Sequence, residues 1–259
     1  MNKHTSIALL LCAAVLSACG TKQFQDITAP PSQAKIRFFN FGVNAPGVNF
    51  YANTTKMTAI SSTSGVESTT GVAYGAGGVS STGYYSAITP GSYTVAGTIA
   101  AATDKDLAIS KVTTSLDAGK AYSFYMSGFY DATAKNVEGF VVVDDYAAAI
   151  DWTQSYVRFV NAVSNAAPMQ LYAKNQTTTT ESAVGGVIAY KAAGAFTAVP
   201  SGVYDLSARF SGQTTNAFPT RTGVSFVAGK VYTVSALGDI TVQSTTLTNR
   251  ARLDNTANR

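Results

Sequence analysis

Few residues of this sequence could carry enzymatic chemistry. His4 is its one histidine, and Cys12 and Cys19 are its two cysteines. They lie in or close to the apolar run of residues 7–16, which is shorter than the ~20 residues of a membrane-spanning helix and is typical of a secretory signal peptide. Removal of residues 1–18 leaves no histidine and one thiol, that of Cys19. A Ser/His/Asp triad, a Cys/His dyad and a histidine-ligated metal site are then excluded.

The carboxylates do not form a convincing catalytic pair or metal site. Asp144 and Asp145 are adjacent on a predicted strand, so their side chains should point to opposite faces and cannot act on one substrate. Asp104 and Asp106 could begin a calcium turn, but a lone D-x-D lacks most of the about six to eight oxygen ligands that calcium takes. The glycine-rich residues 75–78 lack the helix and lysine of a phosphate-binding loop. We therefore expect no enzyme activity, no cofactor and no metal.

Arg37 and Arg158 occupy the same place in a repeated segment. Residues 35–52 (KIRFFNFGVNAPGVNFYA) align without a gap with residues 156–173 (YVRFVNAVSNAAPMQLYA), and the chain is therefore a tandem of two copies of one module. A site particular to one module would not need to be duplicated. We interpret both arginines as structural, capping strand ends or pairing with a carboxylate across a sheet. Two shorter echoes follow in the same order, residues 87–95 with 198–206 and residues 118–122 with 228–232.

Alternation of apolar and polar residues predicts the elements that hold these side chains. Residues 92–99 and 203–210 place mainly apolar side chains on one face and mainly polar ones on the other. Many short strands with frequent turns predict an all-β fold of two tandem antiparallel β-sandwich modules, of the Ig-like or transthyretin-like kind. The other predicted strands are residues 35–40, 48–52, 83–88, 107–114, 121–129, 137–144, 156–161, 169–173, 195–199, 224–227, 231–237 and 240–246.

These features divide the chain into six segments. Each sandwich is long enough to hold a core of its own. Ile150 and Trp152 in the linker should pack into the crease between the modules, although the Trp152 ring could also serve as a platform for a sugar. The segments are a lipoprotein signal peptide (1–18), a flexible tether (19–33), the first β-sandwich (34–146), a linker (147–154), the second β-sandwich (155–246) and a polar tail (247–259).

Three motifs carry a family resemblance. They are APGVNFY at 45–51, PGSYTV at 90–95 and LDAGKAY at 116–122. Together they resemble the DUF4397 family of extracytoplasmic β-domains, and both modules share the resemblance. The second module departs from the pattern by moving its prolines one residue, to Pro168 and Pro200. The family has no assigned activity, so the resemblance implies a fold and a location but no mechanism.

The residues Leu16-Ser17-Ala18-Cys19 resemble a bacterial lipobox. In such a motif the cysteine is acylated, for example with palmitate, and becomes the first residue after cleavage. Stable anchoring to a membrane needs about two membrane signals, and the acylated cysteine carries more acyl chains than that. The residue after the cysteine is Gly20. An aspartate at that position would resemble a signal for retention in the inner membrane. We therefore expect a lipoprotein of the cell outer membrane, with the periplasmic and outer faces both open.

The two modules differ most after their first hairpin. This connection has 34 residues in the first module (53–86) and 24 in the second (174–197). The extra length is rich in serine, threonine and glycine and lies beside Tyr74, Tyr84 and Tyr85. Long loops on a rigid scaffold often carry binding sites, so we interpret these tyrosines as a candidate binding loop. A loop of merely tolerated length is the alternative.

The partner hypothesis follows from these features. We predict a non-catalytic binding or display module for a glycan or a protein of the cell envelope, with the membrane reached through the lipid on Cys19. The alternative is a structural accessory subunit that docks on another envelope protein. Apart from Arg250, Arg252 and Arg259, the basic residues are scattered and form no phosphate-tracking stripe, so we expect no nucleic acid partner.

The lipid anchor can be tested by the substitution Cys19→Ser. Formation of the thioether requires the cysteine sulfur, so the variant should accumulate as an unprocessed precursor without lipid. Metabolic labelling with a fatty acid, followed by gel electrophoresis, measures both outcomes. Normal labelling of the variant would contradict the assignment.

Overall fold

The computed structural model describes residues 32–58, 69–78, 84–146 and 150–258. The predicted signal peptide, the lipidation site at Cys19 and nearly all of the predicted tether lie outside the described residues. In the part of the chain that is described, no helix has the length and apolar character needed to cross a membrane.

The described residues fold into β-strands joined by turns and loops. The strands of the first module are β1 (Ala34–Asn40), β2 (Val48–Ala52), β3 (Thr55–Lys56), β4 (Ala76–Gly78), β5 (Ser86–Ile88), β6 (Gly91–Ile99), β7 (Ala108–Leu116), β8 (Ala121–Asp131) and β9 (Asn136–Val143). Those of the second module are β10 (Gln154–Asn161), β11 (Met169–Asn175), β12 (Glu181–Ile188), β13 (Ala192–Ala193), β14 (Thr197–Pro200), β15 (Gly202–Phe210), β16 (Arg221–Phe226), β17 (Val231–Leu237) and β18 (Arg252–Ala257).

Each module is a two-layer β-sandwich, which confirms the predicted all-β tandem architecture. In the first module one sheet has the order β4-β1-β8-β9, with β5 also on β1, and the other has the order β3-β2-β6-β7. The second module repeats this arrangement as β13-β10-β17-β18, with β14 on β10, and β12-β11-β15-β16. We call the sheets that contain β1 and β10 the inner sheets, and the other two the outer sheets.

One strand pairing in each module is parallel, where we expected antiparallel strands only. β1 pairs with β8 so that Arg37 lies opposite Ser123, and β10 pairs with β17 so that Arg158 lies opposite Thr233. Parallel neighbours cannot be joined by a tight hairpin and need a long crossover. The outer-sheet strands between β1 and β8 provide that crossover, and those between β10 and β17 provide it in the second module.

Each sandwich encloses its own apolar core between its inner and outer sheets. In the first core the ring of Phe38 from β1 stacks on that of Phe50 from β2, with centroids 5.2 Å apart. In the second core Phe159 from β10 belongs to the same buried cluster as Leu171 from β11 and Leu206 from β15. The inner-sheet and outer-sheet strands of each copy therefore meet as the sequence pattern requires.

Strand β1 is buried on both faces. Ile36 and Phe38 belong to the first core, while Arg37 and Phe39 point to the opposite side of the sheet and are at most 2% exposed. Successive side chains of a strand alternate between faces, so a second layer of protein must cover this side of the inner sheet. That layer is the inner sheet of the second module, described below.

The C-terminal segment differs from the prediction. We predicted a strand at 240–246 and a polar tail at 247–259, but the loop runs over 238–251 and β18 covers 252–257. β18 pairs antiparallel with β17 and completes the inner sheet at the place that β9 takes in the first module. An edge strand pairs with a neighbour on one side only and often carries charged side chains, so RLDNTA can form a strand with few apolar residues.

Four further strands were missed by the sequence interpretation: the two-residue strands β3 and β13, and the longer β4 and β12. Residues 76–78, predicted as part of a glycine-rich loop, form β4 and pair with the end of β1. Residues 181–188 form β12, the eight-residue edge of the second outer sheet. Glycine makes up two of the three residues of β4 and two of the eight of β12. Its weak strand propensity conceals both strands from a pattern of alternation.

The contribution of β18 to the second core can be measured with Leu253→Ala. Leu253 is 3% exposed and packs in that core, so its truncation should lower the free energy of unfolding by about 2–5 kcal/mol. Leu247→Ala is the matched control, since Leu247 is 56% exposed and its truncation should change stability by at most ~0.5 kcal/mol. Chemical denaturation followed by circular dichroism gives both values, and equal losses would contradict the packing of β18.

Candidate functional site

A third apolar cluster lies between the two inner sheets. The ring of Tyr125 stacks on Phe39 at 4.7 Å and on Phe140 at 5.2 Å, and its hydroxyl accepts a hydrogen bond from Ser235 of the second module at 3.5 Å. We call this interface between the modules the seam. Its buried apolar residues are Phe39, Phe41, Tyr125, Phe140 and Val142 from the first module, and Val160, Ala162 and Leu237 from the second.

Two arginines share one carboxylate in the seam. Asp144 Oδ2 lies 3.6 Å from Arg37 Nε, and Asp144 Oδ1 accepts a hydrogen bond from Arg158 Nη2. The side chains of all three residues are at most 2% exposed. Charges are retained in a protein interior when they are paired and hydrogen-bonded, and this cluster meets both conditions.

Asp144 also accepts hydrogen bonds from neutral side chains. Ser123 Oγ donates to Asp144 Oδ2 at 2.6 Å, and the Tyr85 hydroxyl donates to the same oxygen at 2.5 Å. Burial, reinforced by the charge of Asp144, raises the pKa of Tyr85 far above its ordinary value. The hydroxyl of Tyr85 therefore stays protonated and remains a donor to the carboxylate.

Each arginine is first fixed within its own module. Arg37 Nε donates to Ser123 Oγ at 2.7 Å, and Arg158 Nε donates to Thr233 Oγ1 at 3.0 Å. Ser123 and Thr233 lie directly opposite these arginines on the parallel neighbour strands. The same local geometry therefore aims both guanidinium groups across the seam.

Each arginine then binds the last strand of the opposite module. Arg37 Nη1 donates to the carbonyl oxygen of Ala257 at 3.0 Å, at the end of β18. Arg158 Nη1 donates to the carbonyl oxygen of Val143 at 2.8 Å, at the end of β9. These reciprocal contacts are the pattern of an interface with two-fold symmetry, here formed by two halves of one chain.

Each of the two arginines also lies against an aromatic ring of its own module. The guanidinium carbon of Arg37 lies 4.7 Å from the ring centre of Tyr85, and that of Arg158 lies 4.7 Å from the ring centre of Phe196. Both rings stand directly before the short strand that pairs with the first strand of each module, β5 or β14. Stacking of a guanidinium on an aromatic face adds to the attraction between the charged groups.

The two halves of the seam differ at one position. Asp144 follows β9 and Asn258 follows β18, and their backbone N–H groups donate to Ala121 and Val231 respectively, each at 2.7 Å. Asn258 Oδ1 accepts from Thr233 at 2.8 Å, much as Asp144 accepts from Ser123. At this pair of equivalent positions the first module thus provides a carboxylate and the second an amide.

The structure separates the three tyrosines of the candidate binding loop. Tyr85 lies in the seam, and Tyr74 lies at its edge with the guanidinium carbon of Arg252 5.4 Å from its ring centre. Tyr84 is 64% exposed. Residues 59–68 and 79–83 of that connection lie outside the described residues. Of the three tyrosines, Tyr84 is the one whose side chain is presented mainly to solvent.

The structure also shows where the carboxylates discussed in the sequence analysis lie. Asp144 is buried and Asp145 is exposed, which confirms their predicted opposite orientation. Asp104 and Asp106 lie on an exposed turn, where Lys135 forms an ion pair with Asp104. Over the described ranges, no three His, Cys, Asp or Glu side chains come together as a metal site would need.

Trp152 is not in the crease between the modules, and that expectation was wrong. Its side chain is 68% exposed, and its ring lies so close to Gly229 that a Cβ there would meet Trp152 Cε3 at 2.6 Å. Gly229 has a φ of 74°, a conformation that favours glycine, and the flat backbone of this turn supports the ring. Ile150, by contrast, is buried.

An open cleft lies between the edge strands β12 and β14 of the second module. Its volume is about 350 Å³. Buried side chains that line it, Val184, Val199 and Tyr204, give it an apolar floor. Thr178 and Thr180 are exposed and place hydroxyl groups at its rim. This combination of an apolar floor with a few polar groups is typical of ligand sites.

Comparison with known proteins gives a family match. A family model described as "Domain of unknown function (DUF4397)" matches residues 34–172 and, in a second and overlapping match, residues 155–258. Among solved structures, "The Bacillus anthracis TIE protein" is similar with 13% identity and a TM-score of 0.25, over 80% of this chain and 34% of that chain. This chain therefore spans about a third of that structure. No curated protein matches the chain.

The seam can be tested with Asp144→Asn. The amide keeps the shape of the side chain but removes the charge that offsets two buried guanidinium groups, so the free energy of unfolding should fall by about 3–5 kcal/mol. Asp145→Asn removes the same charge from an exposed neighbour and should change stability by at most ~0.5 kcal/mol. Urea denaturation of both variants measures the difference. A similar loss of unfolding free energy in the two would contradict the buried role of Asp144.

Proposed function

Because the chain belongs to the DUF4397 family, whose description assigns it no function, we propose a function from its own features. It is a lipoprotein of the cell outer membrane, anchored through the lipid on Cys19, and it binds a glycan or a protein without catalysing a reaction. The anchor rests on the lipobox sequence at residues 16–19 and on the apolar run before it.

The observation that carries the binding role is the cleft between β12 and β14. A volume of about 350 Å³ is within the range of sites that hold a small ligand or a short segment of a larger one. Asn175 Oδ1 accepts hydrogen bonds from the backbone N–H groups of Thr177 and Thr178, at 2.8 and 3.0 Å, and so fixes the turn that begins the rim. A sugar ring or a short peptide would cover the apolar floor and bond to the rim hydroxyls.

The seam supports this role by holding the cleft on a stiff body. The described residues from 33 onward form one compact unit, in which the second module is packed against the first through the inner sheets. A rigid platform loses little conformational entropy when it binds, so more of the contact energy appears as affinity. A binding surface displayed at the end of a tether benefits from this stiffness.

A non-catalytic role also agrees with the chemistry of the mature chain. Once residues 1–18 are removed, no histidine is left, and Asp144 is committed to the seam. Among the described residues that line the cleft there is no carboxylate or lysine, and the hydroxyl of its tyrosine, Tyr204, donates to the carbonyl of Pro200 at 2.8 Å. Binding is therefore the simpler use of the site.

The binding role can be tested with Ala198→Phe. Ala198 is exposed and lines the cleft, so a phenyl ring there should fill it and weaken recovery of a bound glycan or protein by about tenfold or more. The measurement is a glycan array together with a crosslinked pull-down, both with the full chain. A thermal melt checks that the variant remains folded.

The matched control is Ala87→Phe. Ala87 is the equivalent exposed residue of the first module and does not line this cleft. Its variant should keep full recovery of the partner. Equal recovery with both variants and the unchanged protein would contradict binding at the cleft. If both variants and the unchanged protein all recover the same envelope protein, the accessory-subunit alternative is favoured.

A further inference from the structure

A second cleft of the second module is lined by three arginines. It has a volume of about 350 Å³ and lies between β16, β18 and the loop that precedes β18. Arg221 comes from β16, Arg252 from β18 and Arg250 from the loop, and Thr220 and Thr245 add hydroxyl groups. We call it the arginine cleft. Like charges that converge in one cleft repel each other, so this arrangement calls for a physical reason.

The cleft exists because the second module replaces a tight turn with a long loop. In the first module four residues, 132–135, join β8 to β9, whereas 14 residues, 238–251, join β17 to β18. The shorter connection shows that the sandwich can close without the added length. The loop contributes Arg250 and Thr245 to the cleft.

Backbone carbonyl groups hold the guanidinium groups in place. Arg250 Nη1 donates to the carbonyl of Leu247 at 2.7 Å, and Arg252 Nη1 donates to the carbonyl of Thr248 at 2.6 Å. The loop thus turns its carbonyl groups toward both side chains. A guanidinium group has five N–H donors, so the bond of Arg250 fixes its side chain and leaves further donors for a ligand. The Arg252 guanidinium also lies against the ring of Tyr74 and adds mainly its charge to the cleft.

The negative charge around the cleft is smaller than the positive charge. Arg221 Nη1 bonds to Asp254 Oδ1 and to the carbonyl of Leu253, both at 2.9 Å. Within the described residues, Arg250 and Arg252 form no ion pair. Asp239 is the other carboxylate near the loop, and it accepts hydrogen bonds from Thr241 and Asn165. The walls of the cleft therefore carry an excess of positive charge.

The geometry points to an oxyanion site of the phosphate type in the arginine cleft. A planar carboxylate is satisfied by the fork of one guanidinium group, as Glu181 is by Arg209 on the same module. The positive charges of three arginines from three elements, with two hydroxyl groups, suit a tetrahedral group that has several acceptor oxygens and about two negative charges. The site is independent of the cleft between β12 and β14.

The site can be tested with inorganic phosphate as the probe. Isothermal titration of the full chain in detergent, in a buffer free of phosphate and sulfate, should show one binding site. Arg250→Gln should weaken this binding by about tenfold or more, because it removes one charged donor. Arg250 is the residue to change because its side-chain hydrogen bond is to a carbonyl of its own loop.

Arg209→Gln is the matched control. It removes the same charge from the same module, at a guanidinium already paired with Glu181, and should leave phosphate affinity within about twofold. Thermal melts verify that both variants are folded. No binding by the unchanged protein, or equal weakening by the two variants, would overturn the proposal.

A second arm identifies the source of the phosphate group. Glycerol 3-phosphate carries the headgroup chemistry of a phospholipid in soluble form. Tighter binding of this ester than of inorganic phosphate, again lost in Arg250→Gln, supports a lipid or polymer phosphate as the ligand. Tighter binding of inorganic phosphate supports the free ion. Binding of chloride with the same affinity as phosphate would contradict a site built for an oxyanion.

Discussion

The position of the two modules depends on the buried carboxylate of Asp144. It lies between Arg37 of one inner sheet and Arg158 of the other, out of contact with water. A buried ion pair often adds little net stability compared with apolar residues of the same volume, whereas one partner left alone is costly. We infer that the cluster acts mainly on specificity, because few relative positions of the two sheets bring both guanidinium groups to one carboxylate.

Much of the fold could be predicted from the sequence because strands and turns are local signals. The predicted bounds of 48–52 and 231–237 agree with β2 and β17. β18 was missed because an edge strand needs few apolar residues. The seam was missed for a different reason, since it joins residues far apart in the chain. One signal was present: Phe38 and Phe39 are adjacent and interrupt the alternation, so each face of the strand carries an aromatic ring, as expected for a strand buried on both faces.

The arginines show how a duplicated residue can be both structural and specific. Their repetition indicated a structural role and left two possibilities, a cap on strand ends or a carboxylate across the sheet. In the structure the carboxylate of Asp144 lies between the two inner sheets. The sequence could not show that the partner is shared, since one Asp144 serves both copies and the equivalent position is Asn258. A symmetric interface with two carboxylates and two arginines would be neutral. Asn258 in place of a second aspartate still accepts a hydrogen bond from Thr233, as Asp144 does from Ser123, but it carries no negative charge.

The edge of the seam shows where the two copies are free to differ. Tyr190 donates to Glu138 on β9 at 2.6 Å, and the equivalent Tyr74 lies against Arg252 on β18. Packing fixes the tyrosine in both places, but the partner has changed from an acid to a base. In the second module that base also lines the arginine cleft, beside a loop that the sandwich does not need for closure. The two copies thus share the residues that pack in the core. The arginines that could bind a further ligand lie on the second copy.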